Sequence, residues 1–173
     1  MPIYALGDVE PTIDPSAFVH PDAVIIGDVR IGPESSIWPG AVLRGDGGGY
    51  ISIGSQTSIQ DNCVIHTVPG SPTVVGDRCV IGHLVHLEAC TIEDEAMVGN
   101  AAMVLHRSVV HTGAIVAANS VVLYDVDIPS GALAVGSPAA IKEGRARRED
   151  IVLGAQAYVE RARTYPTALR RLA

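Results

Sequence analysis

Aliphatic residues recur at every sixth position over most of the chain. They run Ile13, Val19, Ile25, Ile31, Ile37, Leu43; then Ile53, Ile59, Ile65; then Val75, Ile81, Leu87; and finally Ile92, Val98, Val104, Val110, Val116, Val122. An amphipathic helix would repeat near 3.6 residues and a half-buried strand at 2, so neither fits. A period of six, with glycine beside several of the aliphatic positions (Gly32, Gly54, Gly76, Gly82, Gly99), is the hexapeptide pattern of a parallel β-helix. Four places after many of these positions stands a small or β-branched residue, including Ala23, Val29, Ser35, Ala41, Cys79, Ala96, Ala102, Ser108, Ala114 and Ser120. The pattern predicts an all-β fold in which three hexads make one triangular coil. The aliphatic residue fills the interior and the small residue relieves crowding at the corner. No coil buries its apolar side alone, so stacking of successive coils supplies the stability.

Two interruptions read as loops. Arg44–Tyr50 contains Gly45-Asp46-Gly47-Gly48-Gly49, and Thr67–Thr73 is rich in Pro and Gly. Residues 1–12 read as a short strand or arm leading in, and the repeat fades after Asp125. The expected organisation is therefore a hexapeptide-repeat domain over residues 1–142, followed by a linker and C-terminal helix over 143–173 that packs on the coils. Within Glu149–Tyr165, the residues Ile151, Val152, Ala155, Tyr158, Val159 and Ala162 share one helical face. Glu149 and Asp150 suit the helix N-terminus and Arg161 and Arg163 its C-terminus, and Pro166 is expected to end it.

Composition narrows the picture. Apolar residues make up 47% of the 173 residues but aromatics only 4%, which implies a narrow interior filled by Val, Ile, Leu and Ala. The net charge of −7 is uneven, with −11 over residues 1–144 and +4 over residues 145–173. The acidic body argues against nucleic acid as a partner, and the basic tail is suited to dock on that body or on a neighbour's. Cys63, Cys79 and Cys90 form no CxxC pair and read as interior fillers in a reducing compartment. No charged start leads into an apolar segment, and no apolar run reaches about 18 residues, so neither a signal peptide nor a membrane span is expected. The expected location is cytoplasmic.

The chemistry concentrates in Gly82–Thr91, where His83, His86 and Glu88 fall within six positions, and His66 lies one coil earlier. With three hexads per coil and allowance for the loop after Ile65, Ile65 lies beneath Leu87. His66 and Glu88 each follow that inward residue, so both point outward on one face. Adjacent strands are ~4.8 Å apart, which lets the two side chains share a metal ion. His83 follows Ile81 by two and belongs to a different face, out of reach within one chain but within reach across a threefold interface. The spacing thus predicts a homotrimer with intersubunit metal sites, built from His66 and Glu88 of one chain and His83 of the next, with His86 as the alternative third ligand. Exposed flat faces and cyclic closure favour the same assembly. His20 and His111 read as solvated surface histidines. His86 and His106 suit a proton shuttle, a substitute ligand or a plain surface position.

Residues 13 to about 142 resemble the γ-class carbonic anhydrase family. The likeness is carried by Gly27-Asp28-Val29, Ile37-Trp38-Pro39, Arg44-Gly45-Asp46, Ile59-Gln60-Asp61-Asn62, Ile65-His66, Gly82-His83, Cys90-Thr91-Ile92 and Gly136-Ser137-Pro138. The resemblance implies a left-handed β-helix, a homotrimer, and a zinc ion (or Fe2+ or Co2+) held by three histidines. His66 matches the first ligand and His83 the second, donated by the neighbouring chain; Glu88 stands where the family has the third. A His2Glu set still holds zinc, but its negative charge leaves a bound water less acidic than three imidazoles would. By the same resemblance, Gln60 orients a metal-bound hydroxide toward carbon dioxide, Asp61 sits beside it, and Arg44 and Asp46 form an ion pair bridging subunits. The implied function is a lyase that reversibly hydrates carbon dioxide to bicarbonate at a subunit interface. The alternatives are a hexapeptide-class acyltransferase or thioesterase, and a catalytically weak, metal-stabilised trimeric scaffold.

Overall fold

The computed structural model describes residues 2–172, which fold as a left-handed parallel β-helix carrying one C-terminal helix. Its short strands stack into three parallel sheets of seven, seven and eight strands. The first sheet contains Val42–Gly45, Val64–His66 and His86–Glu88 and is entered by the N-terminal arm, whose Ile3–Tyr4 pairs with Val24–Gly27. The second contains Ile51–Ile53, Thr73–Val75 and Thr91–Ile92. The third begins at Phe18–Val19 and ends in an antiparallel pairing of Leu133–Val135 with Ala140–Lys142. That reversal ends the parallel stacking of the third sheet.

The interior is the sixfold pattern made solid. Ile25, Ile37, Leu43, Ile59, Ile65, Ile81, Leu87, Ile92, Val98 and Val104 are fully buried in one continuous core, and the small residues Ala23, Ala41, Cys79, Ala96, Ala102 and Ala114 fill its corners. The cysteines are free and buried, and burial pushes each thiol up to about 12. They are therefore fillers, not nucleophiles at neutral pH. The two loops that interrupt the repeat rest on one another: Gly47 N–H donates to Thr67 Oγ1 at 3.1 Å. A Cβ on Gly47 would stand 2.3 Å from the Thr67 carbonyl oxygen, so this close approach requires glycine.

The helix Arg148–Ala168 lies along the third sheet, touching Phe18–Val19, Ser36–Ile37, Ser58–Ile59 and Val80–Ile81. Ile151, Ala155, Val159 and Ala162 are its buried face. Four of the seven aromatics gather here rather than in the interior. Trp38 packs against Phe18, Tyr158 and Tyr165, and its indole N–H lies 2.9 Å from Ser36 Oγ and 3.1 Å from Ser58 Oγ. Arg148 pairs with Glu95 and Arg163 with Glu34, so the basic tail docks on the acidic body of its own chain.

Two local expectations are corrected. Pro166 does not end the helix, which continues to Ala168. Proline forfeits a single bond to the preceding turn, and this close to the terminus the chain carries on for two more residues. Arg161 and Arg163 accordingly lie inside the helix, and its last turn holds no basic residue. His20 is not a solvated surface histidine. It is 9% exposed beside Phe18, and its Nδ1 accepts the Asp22 N–H at 3.1 Å. Among the described residues no helix is long and apolar enough to cross a membrane.

Stacking makes interior truncations expensive. Leu87→Ala is expected to cost about 2–5 kcal/mol, whereas Leu153→Ala on the exposed side of the helix stays within about 0.5 kcal/mol. Urea midpoints of the two variants against the wild type measure this; equal shifts would contradict the interior role of the sixfold positions.

Candidate functional site

The first sheet sets the geometry. His66 is in register with Arg44 on one side and with Glu88 on the other. All three follow inward residues (Leu43, Ile65, Leu87) and so project outward from the same column. Asp46, just beyond the end of its strand, folds back on this column. Arg44 Nη1 lies 2.5 Å from Asp46 Oδ2, and Asp46 Oδ1 lies 3.0 Å from His66 Nε2. His66 Nδ1 is 2.8 Å from Glu88 Oε1. The other carboxylate oxygen, Glu88 Oε2, is 3.0 Å from His106 Nε2 and 3.5 Å from His86 Nε2. The result is a continuous polar column of Arg44, Asp46, His66, Glu88 and His106, with His86 at its side.

Electrostatics follow from these contacts. Glu88 is held ionised down to a pKa of about 2, chiefly by the hydrogen bond from His66; burial opposes this, and His106 and His86 add to it. For Asp46, burial favours the neutral acid, but hydrogen bonds and charge from Arg44 and His66 outweigh it and hold the carboxyl below its ordinary range. His66 is 19% exposed and Glu88 22%, so the column is shielded yet reachable.

Gln60, Asp61 and His83 lie elsewhere. They occupy the corner before the first sheet, at the opposite end of the strand Val64–His66 from the column's loops. Asp61 and His83 sit one coil apart, and Asp61 Oδ2 is 2.8 Å from His83 Nδ1. The backbone beneath is fixed by Leu84 N–H to the Asp61 carbonyl at 2.9 Å and by His83 N–H to Asn100 Oδ1 at 3.1 Å. His83 is 43% exposed, and its Nε2 has no partner among the described residues. Gln60 is only 4% exposed, and its side-chain amide also makes no hydrogen bond among the described residues. Tyr158 of the helix lies close enough to feel the Asp61 charge; burial raises its hydroxyl pKa first, and Asp61 adds to the rise.

The predicted residues therefore fall into two groups on one chain. Arg44, Asp46, His66, Glu88 and His86 come together; Gln60, Asp61 and His83 form a second group at the other edge of the same sheet. Among the described residues, no three His, Cys, Asp or Glu side chains of one chain converge on a common point for a metal ion. Two partnerships went unread in the sequence. His106 reaches Glu88 from 18 residues away, one residue beyond the strand register that pairs Leu87 with Val104, and Asp61 meets His83 at the same 22-residue offset that joins His66 to Glu88. His111, read as solvated, is half-buried against Glu93, with Nδ1 3.0 Å from its Oε1.

A hexapeptide-repeat β-helix with histidines and carboxylates at two edges of one sheet defines the class of this protein. Residues 10–45 match the family described as bacterial transferase hexapeptide (six repeats). The mitochondrial gamma carbonic anhydrase 2 of Arabidopsis thaliana is 46% identical over 138 residues, 76% of this chain and 49% of the relative. The carnitine operon protein CaiE of Escherichia coli K12 is 39% identical over 139 residues, 80% of this chain and 70% of the relative. The crystal structure of a hexapeptide transferase family protein from Anaplasma phagocytophilum superposes with a TM-score of 0.89 at 38% identity, covering 95% of this chain and 98% of that one. The chain belongs to the γ-carbonic-anhydrase-like hexapeptide-repeat family. It spans about half the length of the Arabidopsis relative it matches.

The Glu88 cluster makes an acid-dependent contribution that can be measured in metal-free protein. A carboxylate whose folded pKa is lowered adds stability above its unfolded pKa, near 4.5, and loses it as pH falls through the folded value, about 2. Glu88→Gln is therefore expected to cost about 2 kcal/mol at neutral pH, after discounting for partial exposure, with the difference mostly gone near pH 2. Denaturant unfolding of both proteins across that range tests it; a difference independent of pH would contradict the assignment.

Proposed function

We propose that this protein is a metal-dependent, carbonic-anhydrase-like lyase that interconverts carbon dioxide and bicarbonate, acting as a homotrimer with its sites between subunits. The observation that carries this reading is the division of the candidate residues between two edges of one sheet. A copy that packs its His83 edge against the His66 edge of the next completes a three-donor set, and a threefold ring satisfies every edge. The outer surface of that sheet suits such packing. Val64, Met103, Leu123 and Tyr124 are exposed on or beside it, while the helix covers the third sheet.

The donor chemistry fits zinc, and Fe2+ or Co2+ equally. His66 and Glu88 lie side by side on adjacent strands, so a small side-chain adjustment admits an ion between them. His83 presents an exposed, unpartnered Nε2 while Asp61 occupies its Nδ1, the carboxylate–histidine arrangement that fixes the tautomer and aims the ring of a metal ligand. In this reading Asp61 orients His83 rather than the nucleophile. A metal bound here would supply a water acidic enough to give a nucleophile at neutral pH. The remaining work falls to the chain. In this reading the Gln60 amide, whose residue is mostly buried and whose polar atoms make no hydrogen bond within the described residues, accepts from or donates to an oxygen in the site and orients carbon dioxide beside it. Asp46, held between Arg44 and His66, fixes the His66 ring from its other side.

A second reading, acyl transfer, is favoured by the bacterial transferase description of the matching family and by the name of the Anaplasma structure. Binding of coenzyme A separates it from the first.

Complementation tests the proposal. His66→Ala and His83→Ala are each expected to abolish metal binding and carbon dioxide hydration. Co-refolded together they regain both, because one variant's His66 edge then meets the other's intact His83 edge. Metal content by elemental analysis and stopped-flow hydration read the result. Mixed protein that stays as empty and inactive as either parent would overturn the intersubunit site.

A further inference from the structure

Glu88 brings a negative charge to a position where three neutral imidazoles would suffice, and two further histidines converge on it. His106 Nε2 lies 3.0 Å from Glu88 Oε2 and His86 Nε2 lies 3.5 Å from the same atom, while His66 is on Oε1. His106 comes from the next coil, one residue beyond the column that carries Glu88, and its ring is braced by Tyr124, whose centroid lies 5.0 Å away at an interplanar angle of 35°. The two carboxylate oxygens thus have separate neighbours: one faces His66, where an ion would be shared, and the other faces His106 and His86.

We propose that His106 is a positioning residue for Glu88: by donating its Nε2–H to Oε2, it holds the carboxylate as a one-oxygen metal ligand through Oε1 and withdraws part of its charge. This rests on the proposed metal site and deepens it. The physical warrant has two parts. A carboxylate free to rotate can turn its second oxygen toward the metal or away from it, and a fixed donor on Oε2 removes that freedom. A hydrogen bond to the distal oxygen also draws electron density from the proximal one, so the ion keeps more of its own charge than beside a bare carboxylate. His86, at longer range, acts in the same sense. The compensation comes from this chain alone, whereas His83 must come from another.

The test is cobalt binding by the full-length protein, followed by calorimetry and by the visible absorption of bound Co2+, at one fixed pH. His106→Ala is expected to weaken Co2+ binding by about 10- to 100-fold, the usual effect of removing a hydrogen-bond partner from a metal ligand, and to shift the cobalt bands. His106→Gln, whose amide returns an N–H donor at similar reach, is expected to recover most of the affinity and the wild-type spectrum. In a Glu88→Ala background, where affinity is already reduced, adding His106→Ala is expected to change nothing further. Wild-type affinity and spectrum in His106→Ala would overturn the inference while leaving the metal site standing. So would an equal loss from His106→Ala with and without Glu88, which would mark a merely structural role. No cobalt bound by the wild type would overturn the metal site itself and the inference with it.

Discussion

Everything in this molecule depends on the stacking of each strand on its equivalent in the next coil. The backbone hydrogen bonds run along the axis and set the spacing of vertical neighbours at ~4.8 Å. That distance is short enough for one side chain to touch the next and too short for like charges to sit comfortably above each other. The column on the first sheet answers this constraint by alternation: Arg44 meets Asp46, Asp46 meets His66, His66 meets Glu88, and Glu88 meets His106. Asp61 and His83 repeat the rule on the neighbouring corner. The interior obeys the same constraint with different chemistry, since aliphatic side chains stacked at that spacing leave room only for small residues at the corners.

The helix breaks the threefold equivalence of the faces. By lying on the third sheet it buries Trp38 and Phe18 and brings Tyr158 and Tyr165 against them. Its two arginine contacts, to Glu95 near one end and Glu34 near the other, tie it to coils far apart along the axis. The second sheet shows a mostly polar outer surface, with Arg30, Ser52 and Thr91 among its outward residues. The first sheet is left with exposed Val64 and Met103 and with polar groups concentrated at its edges. A face that is apolar in part and polar at two edges differs from both the helix-covered third sheet and the polar second one, and it is the face on which the candidate residues lie.

Much of this was legible in the sequence because a β-helix turns spacing into contact with little freedom. The sixfold positions predict the buried core, and counting hexads around the loop after Ile65 places His66 against Glu88, as the register of the strands has it. The same count reaches Asp61 with His83, so that contact was readable in principle; for Glu88 it reaches Leu105, and His106, one residue beyond the register, was not. The bond from Asp46 to His66 was not, because Asp46 belongs to the glycine loop, where the repeat gives no register. His20 was misread because burial there comes from an aromatic cluster assembled by residues far apart in the chain. Pro166 was misread because a proline's cost shrinks at the end of a helix. The periodicity cannot distinguish carbonic-anhydrase-like members from acyltransferases, because both build the same coils from the same sixfold pattern.

The carboxylate at position 88 is better understood from its neighbours than as a substitution taken alone. An imidazole there would stand between His66 and His106 with no anion to receive His106 or the Nδ1 side of His66, and His86 would add a fourth ring to the same patch. A glutamate accepts from His66 on one oxygen and from His106 on the other, and its depressed pKa shows how strongly the surrounding rings favour its charged form. With Asp46 on the far side of His66, the column sets two carboxylates against one guanidinium, so the polar groups of this edge are arranged around anions, while the Asp61–His83 pair at the other edge holds a single carboxylate.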